Sequence, residues 1–210
     1  FFTEKVMKFQ LIDEAIKAKE EGLIKHISFS FHDKPDIMKK IVDSCPEMET
    51  VLCQYNLLDR ANEEAMKYVR EKGVGVAVMG PVGGGRLSDF PVLMDVFKEI
   101  YKSPSEIALK FVFSNKNVSV ALSGMSSVDM VEENVRIASS HNFLTEEEKH
   151  LIDEVINKRK AKGEIPCTGC QYCLPCPQEI PIPEIINLYN QFLITGSDRY
   201  RAGYQNIGEG

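Results

Sequence analysis

No apolar run in this chain approaches the roughly 18–20 residues needed to cross a bilayer, which excludes a membrane-spanning helix of ordinary length. The opening stretch, FFTEKVMKF, has no basic segment followed by an apolar run, so no secretory signal is visible. It also lacks an initiator Met and opens inside what reads as a helix, so further N-terminal sequence is expected to precede it. A surplus of positive charge is lacking as well, with 25 Lys and Arg against 31 Asp and Glu. A net charge of −6 and a pI near 5.4 leave no global basic field to hold nucleic acid or an anionic membrane. Low-complexity segments are absent, and so is a G-x-G-x-x-G fingerprint after the first strand-like segment. There are only six cysteines, and they are clustered rather than spread as a disulfide framework would be. With no signal segment, that distribution points to a reducing, cytoplasmic setting.

What remains is 210 residues with a hydrophobic fraction of 43%, enough for one globular domain with a small appendage. Residues 3–21 place Val6, Phe9, Leu11, Ile12 and Ile16 near helical spacing, and Gly22 is a natural stop. Then strand-like and helix-like segments alternate. LIKHISFSF, ETVLCQY, VGVAVMG and VSVAL read as strands; KPDIMKKIVDSC, NEEAMKYVREKG, PVLMDVFKEIYK, SPSEIALKFVFS and SSVDMVEENVRIASS read as helices. Ser103 is placed as an N-cap before Pro104, and Thr145 with Glu148 forms a capping-box signature.

Short, apolar, β-branched strands alternating with helices indicate a parallel sheet covered by helices. Four such strands complete a fold either as a small doubly wound sheet or as half of an eight-stranded barrel. The glycine-rich GPVGGGRL follows the third strand rather than the first, which favours the barrel half. The expected fold class is therefore α/β, half of a (β/α)8 barrel, with a small helical extension. The boundary is placed at residues 1–160 and 161–210. In the second part, IPIPEIINLYNQFLITG reads as a Pro-started amphipathic helix, and the polar tail from residue 197 as loosely held.

Four of the six cysteines fall in CTGCQYCLPCP, as Cys167, Cys170, Cys173 and Cys176. Thiolates at C-x-x-C-x-x-C spacing gather several sulfurs on one tight turn, which suits a compact iron–sulfur cluster. Structural zinc pairs two C-x-x-C knuckles across a longer gap, and no such gap exists here. Cys176-Pro177 matches the Cys-Pro ending of the bacterial ferredoxin run, although that run has three residues before its last cysteine and this one has two. Either all four thiolates hold one [4Fe–4S] cluster or three do; zinc and free thiols are the rivals. Cys45 and Cys53 are expected in the core.

GLIKHISFSFHD, VLCQYNLLDR, GVGVAVMGPVGGGRL and SPSEIALKFVFSNKNVSVALSGMSSVDMVEENV resemble the second half of an aldo/keto reductase. The cysteine run followed by IPIPEIINLYN resembles the bacterial branch with a C-terminal ferredoxin-like extension. The resemblance implies strands five to eight of the barrel, NAD(P)H bound at the carboxyl ends of the strands, and hydride transfer to a small-molecule carbonyl. It places the family's catalytic Asp, Tyr, Lys and His on the first four strands. No catalytic residue is therefore assigned, and the chain alone is expected to be inactive as a reductase. By the same resemblance, Ser30 matches the serine near the nicotinamide amide, and Gln54, with Leu52 as the alternative, matches the following glutamine. Gly80, Gly83, Gly84 and Arg86 match the pyrophosphate loop. Gly124, Ser126 and Ser127 match the adenosine-phosphate loop, and Glu133 and Asn134 the adenine-contacting pair. The positions that clamp a 2′-phosphate hold Gly124 and Met130 where tight NADPH binding calls for Arg or Lys.

Each of these residues has a plainer reading. Glycines 83–85 serve equally as a surface turn, Ser126 and Ser127 as a helix cap, and Glu133 and Asn134 as solvated helix positions. His32 follows a strand end, where barrel active sites form, but a structural role is its base expectation. His26, His141 and His150 show no partner spacing. The function expected is an iron–sulfur aldo/keto reductase-like oxidoreductase, its cluster serving electron transfer to a partner or pinning the extension. The rivals are a non-enzymatic electron-transfer or binding module, completed by a separate barrel half or a second copy of the chain, and a zinc-stapled structural domain.

Overall fold

The computed structural model describes residues 2–161, 163, 165 and 173–207. The chain divides into two compact units, Phe1–Gly84 with Ala108–Phe143, and Gly85–Ile107 with Leu144–Gly210.

The first unit is built on a sheet of four parallel strands, β1 (Ser28–Phe31), β2 (Thr50–Gln54), β3 (Gly75–Met79) and β4 (Val120–Ala121). Their order in the sheet follows the chain, β1-β2-β3-β4, so no topological switch point divides it. The register pairs Ser30 with Leu52, Gln54 with Met79 and Val78 with Ala121. Phe31, Val51, Cys53, Val76 and Val78 are buried on one face. α3 (Glu63–Glu71) packs on β3, burying Ala65, Met66 and Val69, and α2 (Pro35–Ser44) packs beside α3, burying Met38, Ile41 and Val42. The period-2 alternation sends Ser28, Ser30 and Thr50 to the other face, where they are exposed, and Leu52, Gln54, Ala77 and Met79, which are half-buried. Among the described residues the helices named here lie on one face of the sheet, in line with the reading of a sheet covered by helices.

Residues 3–21 do not form one helix. A π-helical turn, Phe2–Met7, gives way to α1 (Leu11–Glu20) through Gln10, which adopts a left-handed backbone with φ 53°. Gly22 ends α1 as expected, with φ 74°. The last strand–helix pair of this unit is β4 and α6 (Val128–Ser139), whose buried residue is Ile137.

The second unit is helical. It contains α4 (Pro91–Phe97), α7 (Glu146–Lys160), α8 (Ile182–Thr195) and α9 (Asp198–Gln205), and α5 (Pro104–Phe113) runs from it into the first unit. The Ser103 cap forms, with Glu106 N–H donating to Oγ at 3.1 Å. The capping box also closes: Thr145 N–H donates to Glu148 Oε2 at 2.8 Å, and Glu148 N–H to Thr145 Oγ1 at 3.2 Å. The tail departs from its loose reading. Residues 198–205 are helical because Ser197 caps them and Tyr200 is buried beneath them. Among the described residues no helix is long and apolar enough to cross a membrane.

Candidate coenzyme site

Parallel pairing puts the carboxyl ends of all four strands on one side of the sheet. Ser30 is the third residue of β1, Gln54 the last of β2, Gly80 the first after β3, and Gly124 the third after β4. In open and closed parallel β/α folds, ligands gather at this end.

Two of these residues touch. Gly80 has φ 63°, and a Cβ built there would fall on the Gln54 side-chain amide. Glycine at this point is therefore required twice, by its backbone angle and by its neighbour. A residue that sequence reading did not single out completes the corner. Asn56 is 3% exposed and donates from Nδ2 to the Gly80 carbonyl at 3.0 Å. Its Oδ1 accepts from Leu58 N–H at 3.0 Å and Asp59 N–H at 2.9 Å. The signal in the sequence was an Asn just after a strand, the residue type that closes an Asx turn.

Beyond Gly80 the chain enters a 3-10 turn, Gly83–Ser88. Gly83, Gly84 and Gly85 all have left-handed φ, at 57°, 64° and 85°, and a Cβ at Gly84 would meet nothing within 4 Å. The plain-turn reading and the phosphate-loop reading both accommodate this. The open space over Gly84 lets a ligand's phosphate approach backbone N–H groups. Arg86 is exposed and belongs to the second unit.

Gly124, Ser126 and Ser127 are exposed, ahead of α6. Ser127 is its N-cap, the hydroxyl accepting from Met130 N–H at 3.3 Å, and Ser126 Oγ lies 3.6 Å from Met130 Sδ. Asn134 Nδ2 donates to Ser123 Oγ at 3.0 Å, which ties the helix back to the loop. Glu133 and Asn134 are half-buried on that helix. These groups fit a dinucleotide: glycines that admit phosphate, a capped helix start, and no fixed carboxylate on the loop residues themselves.

His32 and the other histidines add no catalytic set. His26 does find a partner that spacing concealed, Glu49 Oε2 at 2.5 Å from Nδ1, and Lys19 Nζ reaches the same carboxylate at 2.6 Å. Lys19, then His26, hold the Glu49 carboxyl down at about 2, against an ordinary 4.5. His150 lies 3.3 Å from Glu154, one helical turn on.

Cys45 and Cys53 are buried in the first unit, as expected, and burial pushes the Cys53 thiol up to about 11. Cys167 and Cys170 lie outside the described residues. Cys173 is exposed and Cys176 half-buried. Among the described residues no three His, Cys, Asp or Glu side chains are grouped to hold a metal. The chain entering the cysteine run is anchored on α8, where Asn190 donates to the Ile165 carbonyl at 2.7 Å and accepts from its N–H at 2.9 Å.

A parallel sheet alternating with helices, with a glycine loop and a capped helix at its carboxyl end, defines a class, the parallel β/α folds. The comparisons narrow it. The aldo/keto reductase family model matches residues 9–157, and the chain belongs to that family. It is 33% identical over 135 residues to an uncharacterized oxidoreductase of Schizosaccharomyces pombe, covering 64% of this chain and 44% of that protein. L-galactose dehydrogenase of Arabidopsis thaliana is 30% identical over 150 residues, covering 60% of this chain and 47% of that enzyme. Among solved structures, an aldo-keto reductase of Bacillus halodurans in its holo form superposes with a TM-score of 0.58 at 28% identity, covering 68% of this chain and 54% of that one. The chain spans about half the length of the curated relatives it matches.

These matches correct the expected fold class. The aldo/keto reductase (β/α)8 fold covers most of this chain from near its start, residues 9–157, and is not confined to a C-terminal half joined to an iron–sulfur extension. What the described residues contribute to it is the sheet of four parallel strands. The physical reason for the error is that successive β/α units are near-equivalent. Counting strands does not locate a chain within a repeating fold. The family match also ends before the cysteine run.

Proposed function

We propose that this chain carries the coenzyme-binding side of an NAD(P)H-linked reductase acting on a small-molecule carbonyl. The reading is carried by one observation: Ser30, Gln54, Gly80, Gly83, Gly84, Gly124, Ser126 and Ser127 all fall at the carboxyl ends of parallel strands, in a chain of the aldo/keto reductase family. The nicotinamide supplies hydride when bound. Ser30 and Gln54 orient its amide, the glycines at 80, 83 and 84 hold the diphosphate, and Ser126 and Ser127 at the start of α6 hold the adenosine side beside Glu133 and Asn134. That the Arabidopsis relative is a sugar dehydrogenase supports hydride exchange at an alcohol or carbonyl carbon.

The cysteine run is assigned to a [4Fe–4S] cluster held by Cys167, Cys170, Cys173 and Cys176. Its support is the spacing of the four thiols and the accessibility of Cys173. The cluster would supply single-electron transfer to a partner, or simply pin the extension. The test is a titration of anaerobically prepared full-length protein with NADH and NADPH, followed by nicotinamide fluorescence, with iron and sulfide assays on the same sample. Saturable binding of either nucleotide supports the coenzyme site, and indifference to both overturns it. Iron lost on Cys173→Ser supports the cluster; iron-free protein overturns it.

A further inference from the structure

A side-chain bond joins the loop after β4 to the second turn of α6. Both of its ends lie in the first unit. Leu122 N–H donates to the Val78 carbonyl at 2.9 Å, so the sheet fixes the backbone up to the residue before Ser123. On the helix side, Ile137 is fully buried, and Ser127 caps the first turn by accepting from Met130 N–H. Asn134 stands three residues before Ile137, on the same face of the helix, and is half-buried. Its Nδ2 donates to Ser123 Oγ at 3.0 Å, 11 residues back in the chain. The amide is therefore held between two anchored elements.

An asparagine side chain ends in a donor and an acceptor, and which one meets a ligand depends on how the amide is turned. Here the nitrogen is turned to Ser123, so the end directed away from the loop hydroxyl is the acceptor, Oδ1. Purines differ in the group that such an atom would meet. Adenine carries a 6-amino donor, and a 6-oxopurine carries an acceptor in the same place. A fixed acceptor binds the first and repels the second, and a site built around a hydrogen bond discriminates strongly against the analogue that lacks its partner. An amide free to rotate would offer oxygen to one base and nitrogen to the other, and the choice would be lost. Ser123 is exposed, so its hydroxyl is not needed to fill the core.

We propose that Ser123 is a positioning residue for the base of the coenzyme, holding the Asn134 amide with its oxygen toward the 6-amino group, so that the site selects a 6-aminopurine dinucleotide over a 6-oxopurine one. The inference rests on the reading of Asn134 as an adenine-contacting residue. It makes a hydroxyl that does not touch the nucleotide a determinant of which base is accepted.

The test compares two dinucleotides on the full-length protein, NADH and reduced nicotinamide hypoxanthine dinucleotide, its 6-oxopurine counterpart. Nicotinamide fluorescence gives the two dissociation constants, and their ratio is the readout. The parent should favour the amino form about tenfold, and a parent without preference overturns the inference. Ser123→Ala should bring the ratio down to about twofold. Ser123→Asp, which can only accept from Asn134, should keep the ratio near the parent's although its charge weakens both forms. A loop that is merely loosened loses affinity for both forms alike, so an unmoved ratio in Ser123→Ala overturns the inference. A ratio lost in Ser123→Asp as fully as in Ser123→Ala overturns it too. Asn134→Ala separates the two levels of the argument. If it abolishes the preference while Ser123→Ala does not, the adenine reading stands and the inference alone falls. If it leaves both affinities unmoved, the adenine reading fails first and the inference falls with it.

Discussion

Replacing Asn56 with alanine tests whether the corner of the glycine loop is built by a side chain. Asn56 is nearly buried and makes three hydrogen bonds, one to the Gly80 carbonyl and two from Leu58 and Asp59 N–H. A net worth of about 1 kcal/mol each gives about 3 kcal/mol. Leu58 and Asp59 are half-buried, so water satisfies part of what is lost and the figure does not climb further. The backbone bond from Asn56 N–H to the Asp59 carbonyl, at 2.9 Å, survives the substitution. A loss of this size lowers the melting midpoint by about 6–12 °C in a chain of this length. Asn56→Asp separates the parts: it keeps both acceptor bonds but sets a carboxylate against the Gly80 carbonyl, so the loop loosens while the Asx turn remains. Denaturant unfolding measures the stability, and nicotinamide fluorescence measures the loop. The expected pattern is a large stability loss for Asn56→Ala and weaker coenzyme binding for both variants. Unfolding of Asn56→Ala within about 0.5 kcal/mol of the parent would refute the reasoning, because surface-like substitutions fall in that range.

Other consequences are equally direct. Glu49 has a carboxyl held at about 2 in the fold, so its ion pair with Lys19 and its hydrogen bond with His26 stabilise the fold fully above pH 4.5, and that stability is lost as the pH falls toward 2. Glu49→Gln should flatten the acid limb of the stability curve across that window; an unchanged limb would place the acid sensitivity elsewhere. Met130→Arg restores a cation where a 2′-phosphate would lie and should shift the NADPH-to-NADH affinity ratio about tenfold toward NADPH, or about 1.4 kcal/mol. An unmoved ratio would show that α6 does not face the adenosine. In protein treated with chelator, alkylation should reach Cys173 and spare Cys45 and Cys53, whose thiols burial raises. Early modification of Cys53, followed by peptide mass mapping, would mean that β2 opens readily.

Much of the local structure was written in short-range chemistry. Strand and helix alternation, the Ser103 cap, the Thr145 capping box and the Gly22 stop depend on residues within a few positions of one another, and they form as read. The break at Gln10 was not legible, because a left-handed non-glycine residue leaves no compositional mark. The helical tail was misread for a related reason. SDRYRAGYQNIGEG is polar by composition, and only the burial of Tyr200 and the Ser197 cap make residues 198–205 a helix.

The amino-acid order by itself determined the four strands and the glycine-rich turn after the third, since each is a matter of periodicity and local residue type. Tertiary structure alone decided which side chains meet: Asn56 with Gly80, His26 with Glu49, and Ser197 with Asp89 across 108 residues. Such contacts depend on where the backbone returns in space. No local pattern encodes that return, so the residues that shape the loop were invisible until the chain was folded.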